Sequence, residues 1–324
     1  MRERGAALLT AMLTVALVAT FAAAALWQQW RGIEVEQAER ARIQSDWILT
    51  GALDWARLVL REDARAGSDS SDWLGEPWAV PLQEARLSSF LAADPNQTAD
   101  ATEDVLDAFL SGQIVDMQSL MNVNNLLESG RVSEDDVAAF GRLFDMVGAP
   151  AEELGRLVEN LRLARDTSGD NLTSAKAPLP PQTVDQLAWL GLSASTLAQL
   201  RPYITVLPGR TQVNLNTASA EVIAATTDLS MAEAQTLVQA RGQAHFRSVA
   251  DAQRLLGGGA AAMPEGQANV TVSSRFFEVR SRLRLDKTVV EERALLQRDG
   301  LQVQVLRRER GTVADPANAQ IANR

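Results

Sequence analysis

Residues able to do chemistry are few in this chain. Paired carboxylates occur at Glu134-Asp135-Asp136, Glu152-Glu153 and Glu291-Glu292, beside one histidine, His245, and no cysteine in 324 residues. Two carboxylates in unlike environments can divide acid and base roles. These runs, however, fall in helix-like or strand-like patterns whose charged positions face solvent. A serine hydrolase would need His245 as its base, and Gly242-Gln243-Ala244-His245-Phe246-Arg247 contains no nucleophile elbow. A single histidine without cysteine excludes histidine metal clusters within one chain, thiolate metal sites and disulfides. No phosphate-binding loop is present. The formal net charge of −10 repels phosphate backbones. Hydrophobic content of 46% still allows folded cores, so composition points away from catalysis and towards assembly.

The elements that position these residues begin with an apolar stretch. Ala6 to Leu26 contains no charge, proline or glycine. Its polar groups, Thr10, Thr14 and Thr20, can return their hydroxyls to a carbonyl one turn back. About 20 residues at 1.5 Å each span roughly 30 Å, a bilayer's hydrocarbon thickness. Trp27 and Trp30 follow, as interfacial rings do, and Arg2 and Arg4 precede the run and hold that end in the cytoplasm. A secretory signal peptide is the competing reading, with Ala23 and Ala25 as a small-residue cleavage pattern. The run exceeds the usual h-region of about 7 to 15 residues, and helix-forming sequence continues past it to about Asp63. A helix from Ala6 to Asp63 would be roughly 85 Å long. Trp47, Ile48, Gly51, Ala52, Trp55, Leu58 and Val59 give its outer half a stripe expected to face a core. Two helices broken at Gly32 are the alternative.

Arg65 to Pro81 reads as a loop whose Trp73 and Trp78 fold back onto the domain. Ala92 to Glu103 is a second polar connection. Ser111 to Val123 reads as extended and leads into Asn122-Val123-Asn124-Asn125, a helix-capping run. Short helices follow, capped at Ser133, Ser193, Ser230 and Ser248 and with Pro150 in a first turn. Asn214-Leu215-Asn216-Thr217 repeats the asparagine corner. After Gly257-Gly258-Gly259, Phe277, Val279, Leu283 and Leu285 alternate with Glu278, Arg280, Arg282 and Arg284, a half-buried strand. Val289 to Arg298 is a second strand, Asp299-Gly300 a hairpin signal, and Leu301 to Arg307 the return.

The leader Arg-Glu-Arg-Gly before Ala-Ala-Leu-Leu resembles that of type IV pilin-like proteins. That resemblance implies cleavage by a prepilin peptidase between Gly5 and Ala6, methylation, and a retained helix. Glu76-Pro77-Trp78, Asn122 to Asn125, Tyr203 to Pro208, Val213 to Ala220 and Arg275 to Arg284 extend the resemblance over most of the chain, to the K subunit family of type II secretion systems. The resemblance implies an α+β fold: a pilin-like long helix, a C-terminal antiparallel sheet and a large inserted all-α domain. The divisions expected are a leader (1–5), a transmembrane helix (6–27), the first pilin-like portion (28–125), a helical domain with helix-hairpin-helix-like units (126–258), terminal strands (259–310) and a disordered tail (311–324).

The resemblance further implies minor pseudopilins I and J, the major pseudopilin, the prepilin peptidase and the lipid bilayer as partners, at a bacterial inner membrane with the head in the periplasm. Small residues Ala16, Ala19, Ala22 and Ala23 would let neighbouring helices approach. The fifth mature position of most pilins is a glutamate that offsets a neighbour's buried amine. Here it is Thr10, as suits a subunit with no neighbour above it. Some members bind calcium in a loop corresponding to Arg165 to Ala177. That loop offers only Asp166 and Asp170, against Lys176, where calcium takes six to eight oxygens. A solvated loop is preferred, and no cofactor is expected.

A rival of another class is a competence-type, membrane-anchored DNA receptor, because Val213 to Leu256 looks like a helix-hairpin-helix unit. Such turns bind phosphate through Gly-x-Gly amides, and this one reads Thr227-Asp228-Leu229-Ser230. No nucleic-acid partner is therefore expected. N-terminal sequencing of the protein purified from membranes is expected to begin at Ala6; a start near Leu26 would mean a discarded signal peptide.

Overall fold

The computed structural model describes residues 3–66, 70–87, 108–166, 177–256, 269–285 and 288–313. The side chains of residues 3–6, 312 and 313 lie outside that description. Helix α1 (Glu3–Ala66) runs unbroken for 64 residues, about 96 Å at 1.5 Å per residue. Gly32 does not divide it, because a single glycine costs only about 1 kcal/mol in a long helix. The Thr10, Thr14 and Thr20 hydroxyls donate to the carbonyls of Ala7, Ala11 and Leu17 at 2.8–3.0 Å.

A five-stranded antiparallel sheet lies against the outer end of α1. Its strands are β1 (Leu82–Arg86), β2 (Ala108–Asp116), β3 (Phe276–Leu285), β4 (Thr288–Asp299) and β5 (Gln302–Val313), in that spatial order. Period-two alternation in β3 turns Phe277, Val279, Leu283 and Leu285 towards α1. The β4–β5 hairpin turns on Gly300-Leu301, with Asp299 still paired to Gln302 and Gly300 at φ 57°. Glycine with positive φ at the first loop position is the arrangement of a type II′ turn. β5 continues through Val313, so the stretch read as a tail from residue 311 begins as strand; residues 314–324 lie outside the described residues.

The buried stripe of α1 is rotated from the expected one: Ile48, Ala52 and Val59 do pack against the sheet clusters, but Trp47, Gly51, Trp55 and Leu58 are exposed. Ser45, Leu49, Leu53, Ala56 and Leu60 meet the sheet, whereas Trp47 is 74% and Trp55 51% exposed. Apolar residues cover two faces of this helix, and a sheet covers only one. Its leucine face packs with Trp78, Phe277, Val279, Ala294 and Leu296. Ions fasten the sheet's far edge to the same helix. Glu292, buried, accepts from Arg308 at 2.8 Å and from Arg310 at 2.7 Å. Arg308 also reaches Thr50 at 3.0 Å, and Arg310 pairs with Asp46.

β2 and β3 are neighbours in the sheet, yet a helical unit separates them in sequence. It contains α2 (Glu134–Val147), α3 (Ala151–Arg165), α4 (Ala194–Leu200), α5 (Ala220–Thr226), α6 (Met231–Gln243) and α7 (Val249–Leu255) around one apolar core. Local signals set the boundaries. Ser133, Ser193 and Ser219 accept from backbone amides at the starts of α2, α4 and α5. Ser230 with Glu233 and Ser248 with Asp251 form capping boxes. Pro150 is the cap of α3 rather than part of its first turn, and Asp185–Leu190 is a 3-10 helix. Gly148 and Gly191 end their helices in the left-handed region.

Leu60→Ala, fully buried between α1 and the sheet, is expected to cost about 2–5 kcal/mol. Thermal unfolding of the detergent-solubilised protein should show the loss as a lowered midpoint, with Trp47→Ala, on the exposed face, close to wild type.

Candidate functional site

Two features of the fold can carry function: the uncovered surface of α1, and the joint holding the helical unit on the rod. From Ala7 to Arg40 every α1 side chain is exposed, among them Leu8, Leu13, Val18, Phe21 and Leu26. The span is apolar and long enough to cross a membrane. Ala16, Ala19, Ala22 and Ala23 all lie on this surface, and Ala19 and Ala22 border a shallow depression with Thr14, Val15 and Val18. The backbone of Gly5 and Ala6 is helical; the placement of their side chains is outside the described residues. Apolar surface recurs on the head. A groove of about 480 Å³ between α1 and the β1–β2 edge is bordered by Trp47, Trp55, Val59, Val80, Leu87 and Ile114.

The joint is polar and buried. Asp116, at the end of β2, is 2% exposed. One of its oxygens accepts from the Gln118 amide at 2.8 Å. The other accepts from Thr217 and Ser274 hydroxyls, both at 2.6 Å, and from the Asn214 side chain at 3.1 Å. Burial pushes its carboxyl up to about 6 against these donors, so it is ionised at neutral pH. Asn214 spans the joint, donating also to the Asp72 carbonyl at 3.0 Å. Asp72 accepts from the Ser274 amide at 2.6 Å and pairs with Arg298 of β4. Arg298 reaches Asp63, near the end of α1, at 2.9 Å, and lies over the Phe277 ring at 4.9 Å. One guanidinium thus ties α1, the loop after it and the sheet to a corner of the helical unit.

Glu76 completes the cluster. Its carboxylate, with those of Asp63 and Asp72, brings three oxygens within 4.8 Å of one another. Arg298 supplies their counter-charge. Glu76 accepts from the Trp78 indole at 2.6 Å and the Trp73 amide at 3.0 Å, yet burial pushes it up to about 7. Trp78 is buried and Trp73 stacks on His245 at 4.5 Å, so both rings of this loop do fold inward. A Cβ at Gly75 would lie 1.9 Å from the Trp73 ring, so any larger residue there must push that ring off its present position. The apolar side of the joint is Met117, Leu207, Phe276 and Leu295.

The carboxylate pairs of the sequence have structural tasks. Asp136 caps α2 with Ser133 and pairs with Arg210 at 2.8 Å. Glu153 accepts from the Ser193 amide at 2.9 Å, which holds its carboxyl below the usual value. Glu292 is the clamp under α1. At the supposed phosphate turn, Asp228 pairs with Arg142 at 3.3 Å and the Leu229 amide donates to the Thr227 hydroxyl. Asp166 ends α3, whereas Asp170 lies outside the described residues. Asp63, Asp72, Asp116 and Arg298 carried no signal as a group, being scattered over 236 residues in sequence. The one clue was a carboxylate between the apolar Val115 and Met117.

A long, half-uncovered N-terminal helix laid on an antiparallel sheet, with a helical unit inserted before its last three strands, defines a pilin-type subunit of the large kind. Two models described as type II secretion system protein K match residues 119–209 and 213–273, and the similarity to proteins of that description runs over most of the chain. It is 28% identical to type II secretion system protein K of Pseudomonas aeruginosa, covering 95% of this chain and 93% of that one. It is 26% identical to the protein of the same description from Pectobacterium carotovorum, covering 96% and 97%. Its fold is similar to that found in the crystal structure of the GspK-GspI-GspJ complex from the enterotoxigenic Escherichia coli type 2 secretion system. There the TM-score is 0.62 at 17% identity, over 85% of this chain and 98% of that one.

Glu76 gives the joint a pH dependence with a definite sign. Its carboxyl is raised in the folded state, so its contribution is complete below about 4.5 and is lost as pH rises towards about 7. Glu76→Gln keeps an acceptor for Trp73 and Trp78 without the charge. The stability of wild type relative to this variant should fall by about 1–2 kcal/mol over that interval, after discounting for solvent screening. Melting temperatures of both proteins at pH 4.5, 6 and 7.5 measure it.

Proposed function

We propose that this protein is a non-catalytic minor pseudopilin, anchored once in the bacterial inner membrane with its head in the periplasm. It initiates or caps the tip of a short fibre that pushes exported proteins towards an outer-membrane pore. The observation that carries this reading is exposed apolar surface at two places on α1, from Leu8 to Trp30 in the membrane-length span and again at Trp47 and Trp55, which border the groove on the head. A simple membrane anchor needs no such surface beyond the lipid; a subunit whose helix packs beside others does. Helix association through Ala16, Ala19, Ala22 and Ala23 begins assembly in the bilayer, and docking of the heads completes it.

Minor pseudopilins I and J, the major pseudopilin and the prepilin peptidase are its partners in this reading. Thr10, whose hydroxyl is returned to its own helix, suits the uppermost position, where no neighbour's amine requires a glutamate. Asp166 and Asp170 are too few for a calcium site without further oxygens, and no cofactor is assigned.

Full-length protein co-expressed with the minor pseudopilins I and J of the same system should copurify with them in detergent. Trp47→Asp with Trp55→Asp should reduce recovery strongly, since a buried aromatic anchor is commonly worth about 2 kcal/mol. Recovery of the complex unchanged by the double substitution would remove the helix surface from the reading, and absence of any complex would remove the reading itself.

A further inference from the structure

A second cleft, of about 630 Å³, lies where the helical unit meets the outer side of the sheet. Trp189, 53% exposed, Leu179 and Leu306 give it apolar walls. Arg165, at the exposed end of α3, and Arg307 of β5 stand at the same cleft, as do Pro180, Pro181 and Pro208. Asn124, 4% exposed, is part of its wall. The Asn124 side-chain oxygen is buried without a hydrogen-bond donor. Its orientation is fixed, because its amide nitrogen donates to the Leu207 carbonyl at 2.7 Å and a flipped amide would set oxygen against oxygen.

The other asparagines of these corners show what is missing. Asn216 donates to the Phe246 carbonyl and accepts from the Phe246 amide, both at 2.9 Å. Asn125 does the same with Thr211, at 2.7 and 3.0 Å. Each grips one residue by both its backbone N–H and its carbonyl. Asn124 takes the Leu207 carbonyl, but the Leu207 amide is spent on Asn122 at 3.0 Å, and the next residue, Pro208, has no N–H. A buried acceptor left without a donor is costly, because it has given up its hydrogen bonds to water and gained none in return.

We infer that this cleft is a binding site for an extended, acidic segment of another polypeptide. A backbone N–H of that segment completes Asn124, its apolar side chains lie on Trp189 and Leu306, and a carboxylate meets Arg165. The oxygen is buried within the wall, so the segment displaces cleft side chains as it enters, and the new hydrogen bond offsets that shift. Charge complementarity selects the occupant: Arg165 stands exposed at the cleft in a chain that is otherwise net acidic, whereas Arg307 already pairs with Glu309 at 2.8 Å and donates to the Gln182 carbonyl. The site lies apart from the helix surface that carries the assembly reading, and its failure would leave that reading intact.

The test uses full-length protein in detergent and a fluorescein-labelled peptide of sequence Leu-Asp-Leu-Glu-Leu, capped at both ends. A counterpart with lysine at both acidic positions is the control, and binding is read by anisotropy. The acidic peptide should saturate well below about 1 mM, the weak end of measurable affinity. Arg165→Glu and Trp189→Ala, both at exposed positions, should each weaken it about tenfold or more, the scale of one lost anchor. Asn124→Ala is the direct variant, and Arg165→Glu keeps the test decisive if that protein misfolds. Equal binding of the two peptides, affinity unmoved by Arg165→Glu and Trp189→Ala, or no saturation would overturn the site. Binding that appears only after deletion of residues 167–176 would assign the cleft to the chain's own segment and overturn it equally.

Discussion

Three carboxylates and one guanidinium hold the head on the rod. Asp63 near the end of α1, Asp72 in the following loop and Asp116 at the end of β2 converge where the helical unit joins the sheet, and Arg298 of β4 pairs with the first two. Charges taken out of water this far cost several kcal/mol each unless they are paired and hydrogen-bonded. Among the described residues Asp116 has no cation in contact and is satisfied instead by one amide, two hydroxyls and the Asn214 side chain. The donors come from the turn after β2, from the Asn214–Thr217 corner of the helical unit and from Ser274 just before β3. Helix α1 joins through the Asp63–Arg298 pair, so the whole cluster exists only when α1, sheet and helical unit are all in place. An apolar seam would be more forgiving of direction; a hydrogen-bonded charge cluster admits one orientation.

Orientation is what an assembly subunit requires. Force or position transmitted along a helix is useful only if the head does not swivel on it. The sheet contributes through its leucine-faced contact with α1 and through Glu292, whose two arginines fasten the far edge of the sheet to Asp46 and Thr50. Apolar packing and ionic clamps therefore act at opposite edges of the same contact. The remaining faces of α1 are left free; they are apolar along the first turns to Trp30 and again at Trp47 and Trp55, with an exposed charged stretch from Arg31 to Arg42 between. A surface of this kind is stable in lipid at one end and against protein at the other.

Much of this was legible from local chemistry. The apolar run, the serine caps, the capping boxes and the alternating strand from Phe277 to Leu285 each rest on interactions within a few residues, and they stand in the structure as read. The stripe on α1 was misplaced because Trp47 and Trp55 are the most hydrophobic positions of the segment, and hydrophobicity alone does not say which of two apolar faces meets the sheet. The sheet decided that, since Leu49, Leu53, Ala56 and Leu60 pack with its inward side chains and Trp47 and Trp55 do not. The carboxylates with catalytic promise, Glu153 and Glu292, proved to be a helix cap and a clamp. The group that matters most, Asp63 with Asp72, Asp116 and Arg298, has no spacing to recognise.

The amino-acid sequence by itself determined that this chain has a membrane-length helix, that it is acidic and poor in catalytic side chains, and where its short helices begin and end. These follow from hydropathy, charge and caps, which act along the chain at short range. Only the tertiary structure decided which face of the rod is covered, which carboxylates are buried together, and why Asn124 lacks a partner that Asn125 and Asn216 both have. Those outcomes depend on groups far apart in sequence. Their energies arise from desolvation and pairing, and neither has a value until the chain has brought the groups together.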